Sequence, residues 1–211
     1  VNNSKIIIID YGSGNLQSVF NALNLVKHSS QEVKISSNSD DLKSATNIIL
    51  PGVGAFGDCI TGLKSISGMV EELQNQVLKL KKPFLGICVG MQLLADFGFE
   101  HGEYSGLGFI SGNVVKIDDQ NNSLKIPHVG WNNISIKKPH PILDNIKNDE
   151  HFYFVHSFHF VPKNPEEVIA SVNYGEDLTA IIAKENIIAT QFHPEKSSDA
   201  GLQLLKNFIN N

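Results

Sequence analysis

Cys88 lies in Gly86-Ile87-Cys88-Val89-Gly90, the strongest local signal for covalent chemistry in the chain. A Gly-x-nucleophile-x-Gly run where a strand meets a helix makes a tight, strained turn that pushes the nucleophile out above a sheet. A Cβ at either glycine would collide with the neighbouring backbone. The turn also sets the sulfur at a helix N-terminus, where the dipole favours thiolate. A thiol nucleophile needs a base, and Gln191-Phe192-His193-Pro194-Glu195 supplies one. Along an extended segment residues two apart point the same way, so Glu195 reaches the His193 ring and fixes its tautomer. The other ring nitrogen is left for the sulfur. Pro194 is expected to hold this segment extended. A third element is Pro51-Gly52-Val53-Gly54. Its glycines let a peptide N–H turn toward a developing oxyanion, with Val53 as one donor and Val89 as the second. Gln92 falls one helical turn past Cys88 on the same face, where its amide could hold a substrate.

Other signals are weaker. Asp10-Tyr11-Gly12-Ser13-Gly14-Asn15 has the look of a dinucleotide loop, but Gln17 stands where the third glycine belongs. His151, His156 and His159 are spaced so that neighbours fall on opposite faces of a strand, and no metal centre is expected from them. Cys59 is expected to pack in the helix after the glycine loop. Trp131, the single Trp, lies in Lys125–Asn132, which reads as a Pro/Gly loop. Trp is over-represented among interface hot spots, so this loop is a candidate docking surface, although a capped core Trp is the blander reading.

These groups must be held by regular elements. Four short apolar runs, Lys5–Asp10, Glu32–Ile35, Asn47–Leu50 and Pro83–Ile87, read as strands buried on both faces. Helical patterns lie between them at Leu16–Lys27, Asp40–Ser44, Phe56–Leu80 with a break near Gly68, and Met91–Phe97. Strands alternating with helices imply a parallel sheet covered on both faces, with its site at the carboxyl ends of the strands. The second half changes character. Gly112–Ile117, Asn133–Ile136, Phe152–Val155, Val168–Val172, Thr179–Ala183 and Ile187–Gln191 read as strands joined by short turns, an antiparallel extension of the sheet. A last helix runs from about Ser198 to Ile209. The expected fold is one three-layer α/β domain over residues 1–211, with a mixed, mostly parallel central sheet.

Composition narrows the class. With 41% hydrophobic and 18% charged residues, the 211-residue chain is ordinary for a globular protein. A net charge of −5 offers nothing to nucleic acid or an anionic membrane. All 17 basic residues are Lys. Pockets for multiply phosphorylated ligands usually recruit Arg forks, so their absence points to phosphate chemistry on another chain, although an AT-rich genome is the simpler account of an Arg-free sequence. Two cysteines make no disulfide framework. No signal-peptide pattern precedes Lys5, and no apolar run approaches the ~20 residues that span a bilayer. A reduced, cytoplasmic setting is expected.

Taken together, the motifs resemble the class I (triad) glutamine amidotransferases. Gly86–Gly90 and His193-Pro194-Glu195 carry the general likeness. A narrower one is to the glutaminase subunits of imidazole glycerol phosphate synthase. It rests on 10–16, on 51–58, on Gly90-Met91-Gln92-Leu93-Leu94, on 125–132, on Tyr153-Phe154-Val155-His156-Ser157 and on 191–197. Val89 departs from the family's usual Leu, and His159 stands where the family tends to carry Tyr. The resemblance implies that Cys88 attacks the carboxamide of L-glutamine, His193 moves the proton and Glu195 orients it. The Val53 and Val89 amides would hold the oxyanion, and Gly52 and Gln92 the substrate, with no cofactor. It also implies a heterodimer with a (βα)8-barrel cyclase subunit of the synthase. Ammonia would tunnel through that barrel for histidine biosynthesis, and Asn15, His128, Trp131 and Lys196 would face it. The elbow alone is shared with DJ-1-like and peptidase-like cysteine hydrolases. A degenerate regulatory subunit would have lost the nucleophile. A paralogue feeding a sugar-modifying synthetase stays open at this stage.

Overall fold

Ile6 to Ile9 are fully buried, which is why they form a central strand. Fully burying one such side chain contributes ~1.5–3 kcal/mol. The computed structural model describes residues 4–119 and 123–210. Residues 1–3, part of the start read above for a leader, lie outside them. In chain order the first-half strands are β1 (Ser4–Ile9), β2 (Gln31–Ser36), β3 (Asn47–Gly52) and β4 (Phe84–Cys88). Helices α1 (Leu16–Val26), α2 (Asp41–Ser44), α3 (Phe56–Ser65) and α4 (Met69–Leu73) connect them, and α4 runs on as a π-helical turn over Gln74–Lys79. The short helix α5 (Val89–Gln92) follows β4 directly. The small strands β5 (Phe97–Gly98), β6 (Tyr104–Ser105) and β7 (Gly112–Lys116) come next. The second half holds β8 (His128–Ile136), β9 (His151–His156), β10 (Phe158–Pro162), β11 (Val168–Tyr174), β12 (Glu176–Lys184) and β13 (Ile187–Thr190). Helix α6 (Ser198–Asn210) closes the chain.

Among the described residues a nine-stranded sheet has the order β2-β1-β3-β4-β13-β12-β11-β8-β9. It is parallel from β2 to β13 and antiparallel from β13 to β9. The strand order reverses at β1. Right-handed crossovers on either side of that reversal send α1 to one face and α2 to α4 to the other. α1 buries Val19, Ala22 and Leu23 at helical spacing, and it packs against α6. The reversal opens a crevice at the carboxyl ends of β1, β3, β4 and β13.

Three expectations need correction. The helix expected over Met91–Phe97 is the single turn Val89–Gln92. The backbone then closes short turns (Leu94 to Met91, Ala95 to Gln92), and the carbonyls of Leu93 and Ala95 go on to accept from Leu107 and Gly108. Gly112–Ile117 does not extend the main sheet. As β7 it belongs to a four-stranded sheet, β10-β7-β5-β6, whose strands at Phe97, Tyr104 and Phe158 were not expected. Two-residue strands leave no periodicity to read. Finally, Lys125–Asn132 is a loop only as far as Pro127. From His128 it is β8, paired with β9 from His128↔His156 to Asn133↔His151.

Candidate active site

Gly90 shows why the elbow sequence is obligatory. A Cβ there would lie 1.8 Å from the Leu50 carbonyl oxygen, inside the neighbouring strand's backbone. Cys88 itself takes φ 55° and ψ −113°, a costly conformation for a residue with a side chain. The strain aims Sγ into a cavity of about 250 Å³ lined by Val53, Gly54, Val89, Glu100, Ser157 and His193, among others. Sγ lies 4.0 Å from the Val155 carbonyl, and the Gln191 amide nitrogen donates to it at 3.8 Å.

The candidate base, His193, follows the end of β13. Phe192 points into the core and stacks on Phe152, which turns the next residue, His193, toward the cavity. The His193 N–H donates to the Tyr153 carbonyl at 3.0 Å, and Ser197 Oγ donates to the His193 carbonyl at 2.6 Å. His193 Nδ1 and Glu195 Oε1 are 2.8 Å apart. The segment is not extended, as the sequence suggested. Pro194–Lys196 is a 3-10 turn with Pro194 at its first position, and the turn brings Glu195 back under the ring. A proline's fixed φ suits that position as well as it suits an extended one. His193 Nε2 makes no hydrogen bond among the described residues. Burial pulls the His193 imidazolium down, but contacts and charge from Cys88 and Glu195 outweigh it and raise its pKa to about 9. Cys88 and Glu195 thus favour the imidazolium, the form the ring takes once it holds the thiol proton and from which that proton would pass to a leaving group.

The segment expected to hold an oxyanion is adjacent. β3 and β4 pair up to Gly52↔Cys88, so Val53 emerges beside Cys88. Gly52 tolerates no side chain, because a Cβ would lie 2.7 Å from the Gly90 nitrogen. The Val53 N–H donates to Ser13 Oγ at 3.2 Å, and Ser13 Oγ donates back to the Val53 carbonyl. The Cys59 thiol also reaches that carbonyl, at 3.5 Å. In this conformation the Val53 donor is spent on Ser13. Cys59 is buried in α3 behind this contact. Val89 is buried at the first position of α5 and lines the cavity.

Gln92 also lines the cavity, but its amide nitrogen is committed elsewhere. It donates to the Phe158 carbonyl at 2.9 Å and to Gln191 Oε1 at 3.1 Å. A substrate contact through that nitrogen would have to break one of these bonds. Two residues escaped sequence reasoning. Glu100 sets a carboxylate in the cavity wall, where Oε2 also accepts from the Phe56 N–H at 2.8 Å; it lies in irregular backbone with no pattern to flag it. Gln191 was quoted only as part of a motif, yet its position two residues before His193 was a readable sign that it faces the same way.

The residues expected at a partner face divide. Trp131 is 54% exposed and packs edge-on against Tyr153, with exposed Val129 and Val155 on the same side of β8 and β9. Lys196 is exposed and Asn15 half-buried at the start of α1. His128 is different: it is buried on the opposite side of β8, stacked between Phe154 and Tyr174. Its side chain cannot be a surface contact. Its Nδ1 is 3.1 Å from His156 Nε2, and Asn132 Nδ2 is 3.2 Å from its Nε2. His151 is exposed, and His159 is buried on β10. Among the described residues no helix is long and apolar enough to cross a membrane.

Comparison with known proteins agrees with this geometry. The family described as glutamine amidotransferase class-I matches residues 7–211. The imidazole glycerol phosphate synthase subunit HisH of Pelagibacter ubique is 45% identical over 206 residues, covering 98% of this chain and 99% of that protein. The HisH subunit of Rhodospirillum rubrum is 48% identical over 209 residues, covering 97% and 98%. Among solved structures, PurLQS from Thermotoga maritima superposes with a TM-score of 0.76 at 16% identity, covering 99% of this chain and 98% of that one, a likeness of fold. The chain belongs to the class-I glutamine amidotransferase family, and within it to the HisH subunits of imidazole glycerol phosphate synthase.

Proposed function

We propose that this glutaminase works through Cys88, His193 and Glu195 and passes its ammonia to a (βα)8-barrel cyclase. The single observation that carries the catalytic part is the pairing at the cavity floor. A strained cysteine on an elbow faces a buried histidine whose Nδ1 is fixed by a carboxylate and whose Nε2 is unbonded. Sγ attacks the carboxamide carbon of L-glutamine, and the thiol proton passes to His193. Charge collects on the carboxamide oxygen, where the Val89 N–H is one donor and the Val53 N–H the other once it leaves Ser13. His193 then protonates the departing ammonia. Water, deprotonated by the same ring, hydrolyses the thioester to glutamate. Gly52 shapes the cavity wall, Gln92 contributes its amide oxygen, and Glu100 offers a carboxylate to the substrate's α-ammonium.

The partner reading rests on exposed Val129, Trp131 and Val155 with half-buried Tyr153 among them, a strip that borders the cavity at Val155. An exposed apolar strip of this kind fits burial against another protein. Asn15 and Lys196 would sit at its margin, and His128 would support it from behind. The single-domain reading over 1–211 and a reduced, cytoplasmic setting are consistent with the two free thiols. A glutamine-like electrophile tests the catalytic assignment: it should label Cys88 and spare Cys59, and Cys88→Ala should abolish glutamine hydrolysis. Equal labelling of both thiols, or an active Cys88→Ala variant, would sink it. For the pathway, the gene supplied with its cognate barrel should rescue a histidine-requiring strain that lacks this subunit.

A further inference from the structure

Gln191 is fully buried, directly beneath the nucleophile, and no step so far uses it. Its orientation can be deduced from an anchor that has only one hydrogen-bonding role. The Phe158 carbonyl can accept and cannot donate, so the Gln92 atom 2.9 Å from it must be the amide nitrogen. The second hydrogen on that nitrogen meets Gln191 at 3.1 Å, so the Gln191 atom there must be the oxygen. The Gln191 nitrogen is thereby turned to Cys88 Sγ, at 3.8 Å. A flipped Gln191 would oppose two donors in a buried site.

The same anchor is fixed from the other side. His156 Nδ1 lies 2.9 Å from the Phe158 carbonyl and must carry its proton there. Its Nε2 then accepts from His128 Nδ1, and His128 Nε2 accepts from Asn132 Nδ2, which also donates to the Asn173 carbonyl at 3.0 Å. The direction of every bond follows from the two backbone carbonyls at Asn173 and Phe158. The chain of side chains runs from the strand that carries Trp131 to the thiol. Burial lowers the pKa of His128 to about 4 and dominates in taking His156 to about 3, so both rings stay neutral and the directions hold at neutral pH.

We propose that Gln191 is a fourth functional side chain of the site: an N–H donor to the Cys88 sulfur, held on target by Gln92. Its effect falls where the sulfur carries charge. In acylation the thiolate forms as the proton goes to His193. In deacylation water adds to the thioester carbon, the C–S bond breaks and the electron pair returns to sulfur. A hydrogen bond to a charged acceptor is about twice as strong as one to a neutral acceptor, so the donor favours both steps over the resting thiol. This inference rests on Cys88 being the nucleophile.

The test uses the full chain with its proposed barrel partner for kinetics, and the full chain alone for alkylation. Gln191→Met keeps the volume and removes the N–H. It should lower kcat about ten- to hundred-fold with KM within about two-fold. It should also move the pH profile of Cys88 alkylation by iodoacetamide, read on the Cys88 peptide by mass spectrometry, to higher pH. A purely structural role would not move that profile. If Gln191→Met melts below the assay temperature, Gln191→Asn carries the same expectation. It stays polar and uncharged, but its amide is one methylene shorter and draws the N–H back from the sulfur. A folded variant with unchanged kcat and an unchanged alkylation profile overturns the role of Gln191 while leaving Cys88 as nucleophile. An active Cys88→Ala variant would instead remove the reading beneath it.

Discussion

Removing the Ser13 hydroxyl should awaken the isolated chain. In the structure this hydroxyl makes two bonds to one residue, accepting from the Val53 N–H and donating to the Val53 carbonyl. Each such bond contributes ~1 kcal/mol net. Val53 is 47% exposed, so water replaces part of what is lost. The hold on the resting conformation is therefore about 1–2 kcal/mol, a five- to thirty-fold bias by the usual conversion. The gain has a ceiling, since one oxyanion donor is worth ~10²–10³ in rate. Ser13→Ala should raise the glutaminase kcat of the lone chain about five- to thirty-fold. If docking of the proposed barrel partner is what releases the donor, the rate of the complex should stay the same. Stimulation by the partner should shrink by the same factor. Glutamate release coupled to glutamate dehydrogenase reads both rates. A basal rate that is unchanged, or that falls while the melting temperature holds, would refute the idea that Ser13 restrains the oxyanion donor.

Two further outcomes follow from the far side of the site. His128 and His156 have folded pKa values of about 4 and about 3, below the 6.5 of the free ring. Only the unfolded chain takes up their protons as the pH falls below 6.5, so the stability they give is lost in that window, at ~2 kcal/mol each by pH 5. The raised His193 pKa works the other way: its contribution is complete below 6.5 and lost as the pH rises through about 9. The measurement is therefore a comparison of urea midpoints at pH 7.5 and 5, where His156→Gln should remove ~2 kcal/mol of the acid loss. Equal losses in variant and wild type would contradict it. Trp131→Ala should weaken the heterodimer by roughly 2 kcal/mol or more, as hot-spot truncations do, and lower glutamine-dependent synthesis. Ammonia-dependent synthesis by the barrel should be untouched; if the heterodimer affinity does not change, Trp131 is no anchor.

The parallel half of the fold was legible because β1, β3 and β4 carry short apolar runs, and the glycines around Cys88 marked the one turn that needs them. Glu32–Ile35, expected to be buried on both faces, is instead the edge strand β2, only partly buried and carrying Glu32 and Lys34. The triad spacing was legible too, though for the wrong local reason: Glu195 reaches His193 through a tight turn and not along an extended chain. The small second sheet was invisible because Phe97–Gly98 and Tyr104–Ser105 are too short to show a period. Trp131 and His128 were read together, as neighbours in a loop. Strand alternation sets them on opposite sides of β8, one exposed and one buried, and only the pairing with β9 reveals it. The bond from Ser13 to Val53 joins residues 40 positions apart, and no local pattern encodes it.

The register Gly52↔Cys88 limits how the enzyme can be switched on. Cys88 and Gly52 are locked rung against rung on adjacent strands. Sliding β3 along β4 would carry the thiol out of line together with its helper. The freedom that remains begins one residue later, between Gly52 and Gly54, where a single peptide plane can swivel. If the Val53 N–H is the oxyanion donor, switching it on takes only a crankshaft turn of one amide. It leaves the hydrophobic core and the ladder of the sheet intact, so variants can be tuned for activity without being traded against the stability of the fold.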